Sequence, residues 1–153
     1  FGDDLSQTGQ NIIIRAAQAL RDGFGRPQDG VNINLEKNLP IASGIGGGSS
    51  DAAAALRGLC TLWQLTPSEQ ELVDLALSLG ADVPMCLAQS SAHITGIGEH
   101  IQPLAISPMN IVLANPGAAV ATPSVFKHLS NKNNPASRAP TPRMLILHQV
   151  TTI

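Results

Sequence analysis

The chain has 153 residues and a formal net charge of −2, from nine Lys and Arg against eleven Asp and Glu. This balance excludes the strongly basic surface of a non-specific nucleic-acid binder and of a polybasic membrane-surface protein. Aromatic residues make up 3% of the chain and Tyr is absent, so a base-stacking platform would be thin. No apolar run approaches the roughly 20 residues that span a bilayer, and the hydrophobic content of 43% is not that of a disordered chain.

The first predicted elements are a helix and a strand. Residues 10–20 carry apolar side chains at helical spacing. These are Ile13, Ala16, Ala17 and Leu20. Gly23 and Gly25 follow as helix stops. Residues 31–36 alternate apolar and polar side chains, which predicts a half-buried strand that ends at Pro40.

Two further helices are predicted in the centre of the chain. Residues 51–59 include four consecutive alanines, a helix composition, with Ser50 and Asp51 suited to its N terminus. Thr66-Pro-Ser-Glu69 reads as a capping box with Pro67 at the first helical position. Gly80 stops this helix. Its apolar stripe is Leu72, Leu75, Ala76 and Leu79.

Shorter elements are predicted towards the C terminus. Residues 92–95 are typical of a strand and residues 96–99 of a turn. Residues 110–114 predict a strand and residues 122–129 a short helix, whereas residues 131–142 predict a loop or a disordered segment. Helices and strands that do not alternate strictly favour an α+β fold.

The segment Gly44-Ile-Gly-Gly-Gly-Ser-Ser50 lies between a predicted strand and an alanine-rich helix. Glycines let the backbone approach a ligand closely, and successive amides can then form an anion-binding nest at the helix N terminus. The hydroxyls of Ser49 and Ser50 suit phosphate or a phosphate-bound Mg²⁺. The segment lacks the Gly-Lys-Ser/Thr of a P-loop and the third glycine of a dinucleotide-binding fingerprint. The alternative is a flexible Gly-Ser linker.

Asp82 is the candidate catalytic acid. It lies in Gly80-Ala-Asp-Val-Pro84, where Pro84 stiffens the backbone. We expect its apolar neighbours to desolvate the carboxylate partly and make it a better proton acceptor. The alternative is a turn aspartate that bonds nearby amides.

The remaining reactive side chains predict ordinary structural roles. Cys60 and Cys86 lie in apolar stretches and are expected to be buried free thiols in a reducing compartment. Asp29 is expected to be a solvated loop acid and Glu99 a turn residue. The histidines have no metal-ligand spacing, so no metal site is predicted on the chain. They are His93, His100, His128 and His148.

Several segments together resemble the GHMP family of small-molecule kinases. Residues 39–53 are similar to the ATP loop of that family, and Leu79-Gly-Ala-Asp-Val-Pro84 resembles a catalytic-aspartate motif. Residues 96–99 and 115–117 follow in the same order, and residues 11–17 match the helix before the ATP loop. The triple glycine paired with Gly-Ala-Asp-Val-Pro resembles the branch that phosphorylates a cytidine diphosphate-linked polyol in non-mevalonate isoprenoid synthesis.

The resemblance implies a site and a reaction. The ATP phosphates would be held by Pro40, Ile41, Ala42, Ser43, Gly44, Ile45, Gly46, Gly47, Gly48, Ser49 and Ser50. Asp82 would be the base for transfer of the γ-phosphoryl group from ATP, with Mg²⁺, to the 2-hydroxyl of the polyol. The implied fold is a two-domain α+β kinase whose nucleotide domain has the ribosomal protein S5 domain 2-like fold. Residues 1–106 would belong to that domain and residues 107–153 to the start of a substrate domain.

The sequence also departs from the family pattern. Neither the family's lysine-bearing N-terminal strand nor its second glycine motif is found, and Lys37 matches the strand before the loop. We therefore expect an internal piece of a longer kinase from the bacterial cytoplasm or a plastid. The alternatives are a homoserine or mevalonate type of GHMP kinase, and a truncated chain with no activity of its own.

Overall fold

A computed structural model describes residues 11–38, 44–108, 110, 112 and 127–130. These residues form an α+β arrangement in which helices pack together beside a short hairpin, as predicted. The helices are α1 (Ile12–Phe24), α2 (Gly47–Trp63), α3 (Glu69–Leu79) and α4 (Val83–Ala88), and the strands are β1 (Ala92–Thr95) and β2 (His100–Pro103). None of these helices is both long enough and apolar enough to cross a membrane.

Helix α1 confirms the predicted helix and its buried face. The Asn11 side chain accepts a hydrogen bond from Ile13 N over 2.9 Å and caps the helix. The buried residues are the predicted Ile13, Ala16, Ala17 and Leu20. The helix continues through the first predicted stop, Gly23, and ends at Phe24, with the second predicted stop, Gly25, as its C-cap.

The hydrophobic core lies where the helices meet. Helix α2 packs against both α1 and α4, and α3 contacts α1 and α4. Leu20, Leu56, Val83 and Pro84 are fully buried. Small residues such as Ala16 and Ala52 are also fully buried, so helices α1 and α2 can approach closely. The core is thus centred on α2, the helix that follows the glycine-rich segment.

Residues 31–38 do not form the predicted strand. No strand among the described residues pairs with this segment, so it has an extended course without a hydrogen-bonded ladder. Its alternation is nevertheless real, because Ile33, Leu35 and Lys37 are half-buried while the residues between them are exposed. One face of the segment therefore contacts the helices.

Helix α3 begins two residues later than predicted. Ser68, not Thr66, is the N-cap, and the capping box joins Ser68 to Glu71. Ser68 N donates to Glu71 Oε2 over 2.8 Å and Glu71 N donates to Ser68 Oγ over 3.3 Å. The sequence holds two overlapping capping patterns, and this one leaves Pro67 before the cap. The predicted end at Gly80 is confirmed.

Strands β1 and β2 form an antiparallel hairpin. Ala92 pairs with Pro103 and Thr95 with His100. The predicted strand at residues 92–95 and the turn at residues 96–99 are confirmed, and β2 was not predicted. The predicted strand at 110–114 and helix at 122–129 lie mostly outside the described residues, and the loop at 131–142 lies wholly outside them.

Candidate active site at the starts of α2 and α4

The glycine-rich segment forms the start of helix α2. Gly46 caps the helix in the left-handed conformation, with φ 74° and ψ 16°, and Gly44 has the same φ. Ser50 N donates to the Gly46 carbonyl over 2.9 Å and closes the first turn. The predicted helix start at Ser50 and Asp51 is therefore wrong, since α2 begins at Gly47. Left-handed backbone is costly for a residue with a Cβ, so the bend needs these glycines.

The first turn of α2 presents amide groups that have no acceptor within the helix. In an α-helix the first N–H groups lack intrahelical partners, and here they belong to Gly47, Gly48 and Ser49. The cap residue Gly46 has no side chain that could accept from them. The positive end of the helix dipole lies at the same place. This geometry suits an anion such as a phosphate group.

Lys37 brings a positive charge to this turn. Its Nζ forms an ion pair with Asp51 Oδ2 at 2.5 Å, and it lies 3.7 Å from the position that a Cβ on Gly47 would occupy. The Lys37 side chain is 17% exposed. No role at the phosphate site was predicted for Lys37 from the sequence. The alternation of half-buried and exposed residues in this segment places Lys37 on the same face as Ile33 and Leu35.

Only part of the predicted phosphate loop lies among the described residues. Gly44 to Ser50 are described, and within that range Ile45 is an exposed apolar side chain between the two left-handed glycines. Pro40, Ile41, Ala42 and Ser43 lie outside the described residues. Their predicted contact with phosphates stays a prediction.

Asp82 lies at the N terminus of α4, a six-residue helix that the sequence did not predict. Its side chain is exposed and makes no capping hydrogen bond. The expected desolvation by apolar neighbours is therefore wrong. Val83 and Pro84 are buried in the core, and because successive residues of a helix point in different directions, Asp82 is left at the surface. An exposed carboxylate without a capping partner is available to a ligand.

A shared core connects the two candidate sites. Helix α4 packs against α2, and Val83, next to Asp82, belongs to the same buried cluster as Ala52 and Ala53 in the second turn of α2. Helix α2, which follows the glycines, and helix α4, which follows Asp82, therefore stabilise each other.

The two cysteines are free thiols, but they are half-buried rather than buried. Burial raises the pKa of both thiols. For Cys86, the negative charge of Asp82 raises the pKa further, and the positive charge of Arg57 opposes that effect. The pKa of the Cys86 thiol therefore depends on the charge of Asp82, the candidate base.

Among the described residues, no group of three or more His, Cys, Asp or Glu side chains could hold a metal ion. The hydroxyls of Ser49 and Ser50 lie in the first turn of α2. Mg²⁺ typically binds one or two protein groups together with waters and substrate phosphates. Serine hydroxyls are oxygen ligands of the kind that a phosphate-bound Mg²⁺ uses.

Residues 11–90 match the family described as GHMP kinases N terminal domain. This chain belongs to the GHMP kinase family. The match begins at the cap of α1 and ends after α4, so it contains both the glycine-led helix and Asp82. The resemblance drawn from the motifs is confirmed.

Relatives of this GHMP kinase carry a common name. A protein of Agrobacterium fabrum (strain C58 / ATCC 33970) named 4-diphosphocytidyl-2-C-methyl-D-erythritol kinase is 53% identical over 148 residues, which cover 93% of this chain and 49% of the relative. A protein of Chelativorans sp. (strain BNC1) with the same name is 46% identical over 145 residues, covering 94% and 49%. The chain spans about half the length of the curated relatives it matches.

A solved structure is similar as well. It is titled as the crystal structure of 4-(cytidine 5'-diphospho)-2C-methyl-D-erythritol kinase, and it aligns with a TM-score of 0.66 at 39% sequence identity. The alignment covers 80% of this chain and 44% of that chain. The α+β arrangement of the described residues is thus that of a GHMP kinase.

Proposed function

We propose that this chain carries the nucleotide site of a kinase that transfers the γ-phosphoryl group of ATP to the 2-hydroxyl of 4-diphosphocytidyl-2-C-methyl-D-erythritol. The observation that carries the proposal is the glycine-led start of α2, with Gly44 and Gly46 at positive φ. The names of the relatives support the alcohol and with it a place in non-mevalonate isoprenoid synthesis.

In this proposal the residues from Pro40 to Ser50 surround the triphosphate. The amides of the first turn of α2 donate to phosphate oxygens, and the helix dipole adds to their attraction. The ammonium group of Lys37 lies beside Gly47, close enough to this turn to neutralise part of the phosphate charge. Mg²⁺ accompanies ATP and neutralises the β- and γ-phosphates.

Asp82 acts as the base in this proposal. The substrate 2-hydroxyl gives its proton to the Asp82 carboxylate as its oxygen bonds to the γ-phosphorus, while the bond from the γ-phosphorus to the bridging oxygen breaks. ADP leaves and Asp82 holds the proton until solvent takes it. Phosphoryl transfer depends chiefly on positioning and charge neutralisation, so the part left to Asp82 is to orient the hydroxyl and take its proton.

We also propose two domains and a cellular location for this chain. Residues 1–106 would form the nucleotide domain and residues 107–153 the start of a substrate domain. The partners are ATP and the cytidine diphosphate-linked polyol. The curated relatives are bacterial, which supports a bacterial cytoplasm as the place of action.

Nucleotide binding is tested on the 153-residue chain. Mg·ATP should raise the melting temperature with a concentration dependence that follows mass action, and Mg·AMP should do so less because it lacks two phosphates. A melting temperature that is insensitive to Mg·ATP, together with no heat of binding in calorimetry, would contradict the nucleotide site.

The catalytic role is tested on the active kinase. Asp82→Asn should lower the rate of phosphoryl transfer by about 10²–10⁴-fold while ATP binding is kept. Assays with homoserine and mevalonate beside the diphosphocytidyl alcohol identify the acceptor. Turnover retained in Asp82→Asn, or a preference for another alcohol, would refute the corresponding part of the proposal.

A further inference from the structure

We infer that the turn between β1 and β2, residues 96–99, positions Asp82, with Gly98 and Glu99 as the positioning residues. This inference rests on the proposed function in one respect, since the importance of the carboxylate position depends on Asp82 being the base. The geometry that carries it does not depend on any reaction.

Gly98 is in direct contact with the backbone that precedes Asp82. A Cβ built on Gly98 would overlap the carbonyl oxygen of Ala81, and it would lie 3.0 Å from the Ala81 carbonyl carbon and 3.4 Å from its Cα. Gly98 is buried, and its φ of 121° is rarely adopted by residues with a side chain. The turn can therefore approach the Ala81–Asp82 peptide only with glycine at this position.

Glu99 holds the turn in the shape that permits this contact. Its Oε2 accepts a hydrogen bond from Ile97 N over 2.7 Å, and the carboxylate lies where a Cβ on Gly96 would be. Backbone amides of Glu99 and Ile97 lower the pKa of this carboxyl group. Glu99 is therefore ionised near neutral pH, and its charge stabilises the amides of the turn.

The other side of Asp82 is fixed by helix α4 and the turn before it. Val83 N donates to the Gly80 carbonyl over 3.1 Å, and Cys86 N donates to the Asp82 carbonyl over 3.2 Å. Arg57 Nη1 donates to the Cys86 carbonyl over 3.2 Å and connects α4 to α2. The backbone before Asp82 thus contacts the hairpin turn, and the backbone after it begins α4. We therefore expect a change in the turn to move the carboxylate.

Such support matters because phosphoryl transfer is sensitive to geometry. A misplacement of about 1 Å in a reacting group can cost about 10²-fold in rate. Asp82 has no capping hydrogen bond of its own, so its position depends on the backbone on either side. The turn supports the backbone that precedes Asp82, and α4 follows that residue.

The test uses the Cys86 thiol as a reporter, and it needs neither ATP nor an alcohol. All variants carry Cys60→Ser, so that Cys86 is the remaining thiol. The charges that act on this thiol are those of Asp82, which raises its pKa, and Arg57, which lowers it.

The rate of alkylation of Cys86 between pH 6 and 9 gives the ionisation midpoint, since the thiolate is the reactive form. In the Asp82→Asn reference, the midpoint should fall and alkylation at neutral pH should become about two- to fivefold faster.

Gly98→Ala and Glu99→Ala should move the Cys86 midpoint towards that of Asp82→Asn, because they displace the Asp82 carboxylate. Glu99→Gln should keep the midpoint close to that of the original chain, because its amide oxygen still accepts from Ile97 N. Gly58→Ala is the matched control, since a Cβ there meets nothing within 4 Å, and it should leave the midpoint unchanged. Glu99→Ala keeps the test decisive if Gly98→Ala does not fold. A midpoint unchanged in Glu99→Ala, with only a lower melting temperature, would show a merely structural turn and overturn the inference.

The result of the Cys86 titration does not depend on whether the proposed function is correct. If Asp82 is not the base, the thiol titration still reports whether the turn positions its carboxylate. In the active kinase, we expect Glu99→Ala to lower kcat with little change in KM for ATP, because the turn contacts the Ala81 backbone next to Asp82. A proportionate change in kcat and in KM for ATP would contradict the positioning role of Glu99.

Discussion

The ion pair between Lys37 and Asp51 joins an extended segment to the helix that follows the glycines. Lys37 comes from residues 31–38, which have no strand partner among the described residues. Asp51 lies just beyond the first turn of α2. A carboxylate at this place would repel a bound phosphate, and the lysine compensates for it. The pair therefore keeps the start of α2 electrostatically suited to an anion.

Replacement of Lys37 should weaken nucleotide binding. We expect Lys37→Met to lower the affinity for Mg·ATP by about tenfold, because a hydrogen bond to a charged group is lost and the charge of Asp51 is left uncompensated. Isothermal titration calorimetry gives the affinity, and Arg15→Met, which removes an exposed positive charge from α1, is the control. Equal affinity in the Lys37 and Arg15 variants would argue that the ion pair serves stability alone.

Asp51→Asn provides the complementary prediction. It removes the negative charge and frees the Lys37 ammonium group while keeping a side chain of similar size. Affinity for Mg·ATP should rise or stay the same, since the repulsion between the carboxylate and the phosphates is removed. The same calorimetric titration measures it. A loss of affinity as large as that of Lys37→Met would mean that Asp51 itself contacts the nucleotide or its Mg²⁺.

Gly46→Ala should destabilise the start of α2. The left-handed φ of 74° costs a residue with a Cβ about 1–2 kcal/mol, although a Cβ there would meet nothing within 4 Å. Gly58→Ala, in the interior of the same helix and also in open space, should stabilise by about 0.5–1 kcal/mol. Urea unfolding of the two variants gives the difference, and a Gly46→Ala variant as stable as the original chain would contradict the left-handed cap.

The sequence was informative where a repeating pattern coincided with burial. Helix α1 shows this clearly, since apolar spacing alone identified its buried residues. Where two local patterns competed, the sequence could not choose between them. The capping patterns at Thr66 and Ser68 overlap, and the structure forms the one at Ser68.

Tertiary contacts decided the remaining differences. Helix α4 has only six residues, too few for a helical pattern, and it is held by the burial of Val83 and Pro84. That burial also explains why Asp82 is exposed instead of desolvated. The alternation places Lys37 on the half-buried face of residues 31–38. Its position beside Gly47 depends on how that segment lies on α2, which no local pattern encodes. The sequence therefore predicted which residues form the candidate site, but not their burial or their tertiary contacts.

Asp29 gives a pH dependence of stability that corrects a sequence-based expectation. It was expected to be a solvated acid, but it is 7% exposed. Its Oδ2 accepts from Arg26 N over 2.7 Å, and its Oδ1 lies 3.1 Å from Arg26 Nη2. The Arg26 backbone amide, together with the Arg26 side chain, lowers the pKa of this carboxyl group below its usual value of 3.8. Because the folded pKa is the lower one, the stabilisation is present above the unfolded pKa and is lost as pH falls through the folded pKa.

Asp29→Asn should therefore lower the melting temperature at pH 7 and pH 5 by similar amounts, and the difference from the original chain should shrink as the pH falls below the usual pKa of 3.8. Thermal unfolding followed by circular dichroism between pH 3 and 7 measures this difference. Asp22→Asn is the control, because Asp22 is exposed and lies 3.7 Å from Arg21, and exposed ion pairs contribute little. A difference for Asp29→Asn that stays constant down to pH 3 would show that the carboxylate charge is not what stabilises the loop after α1.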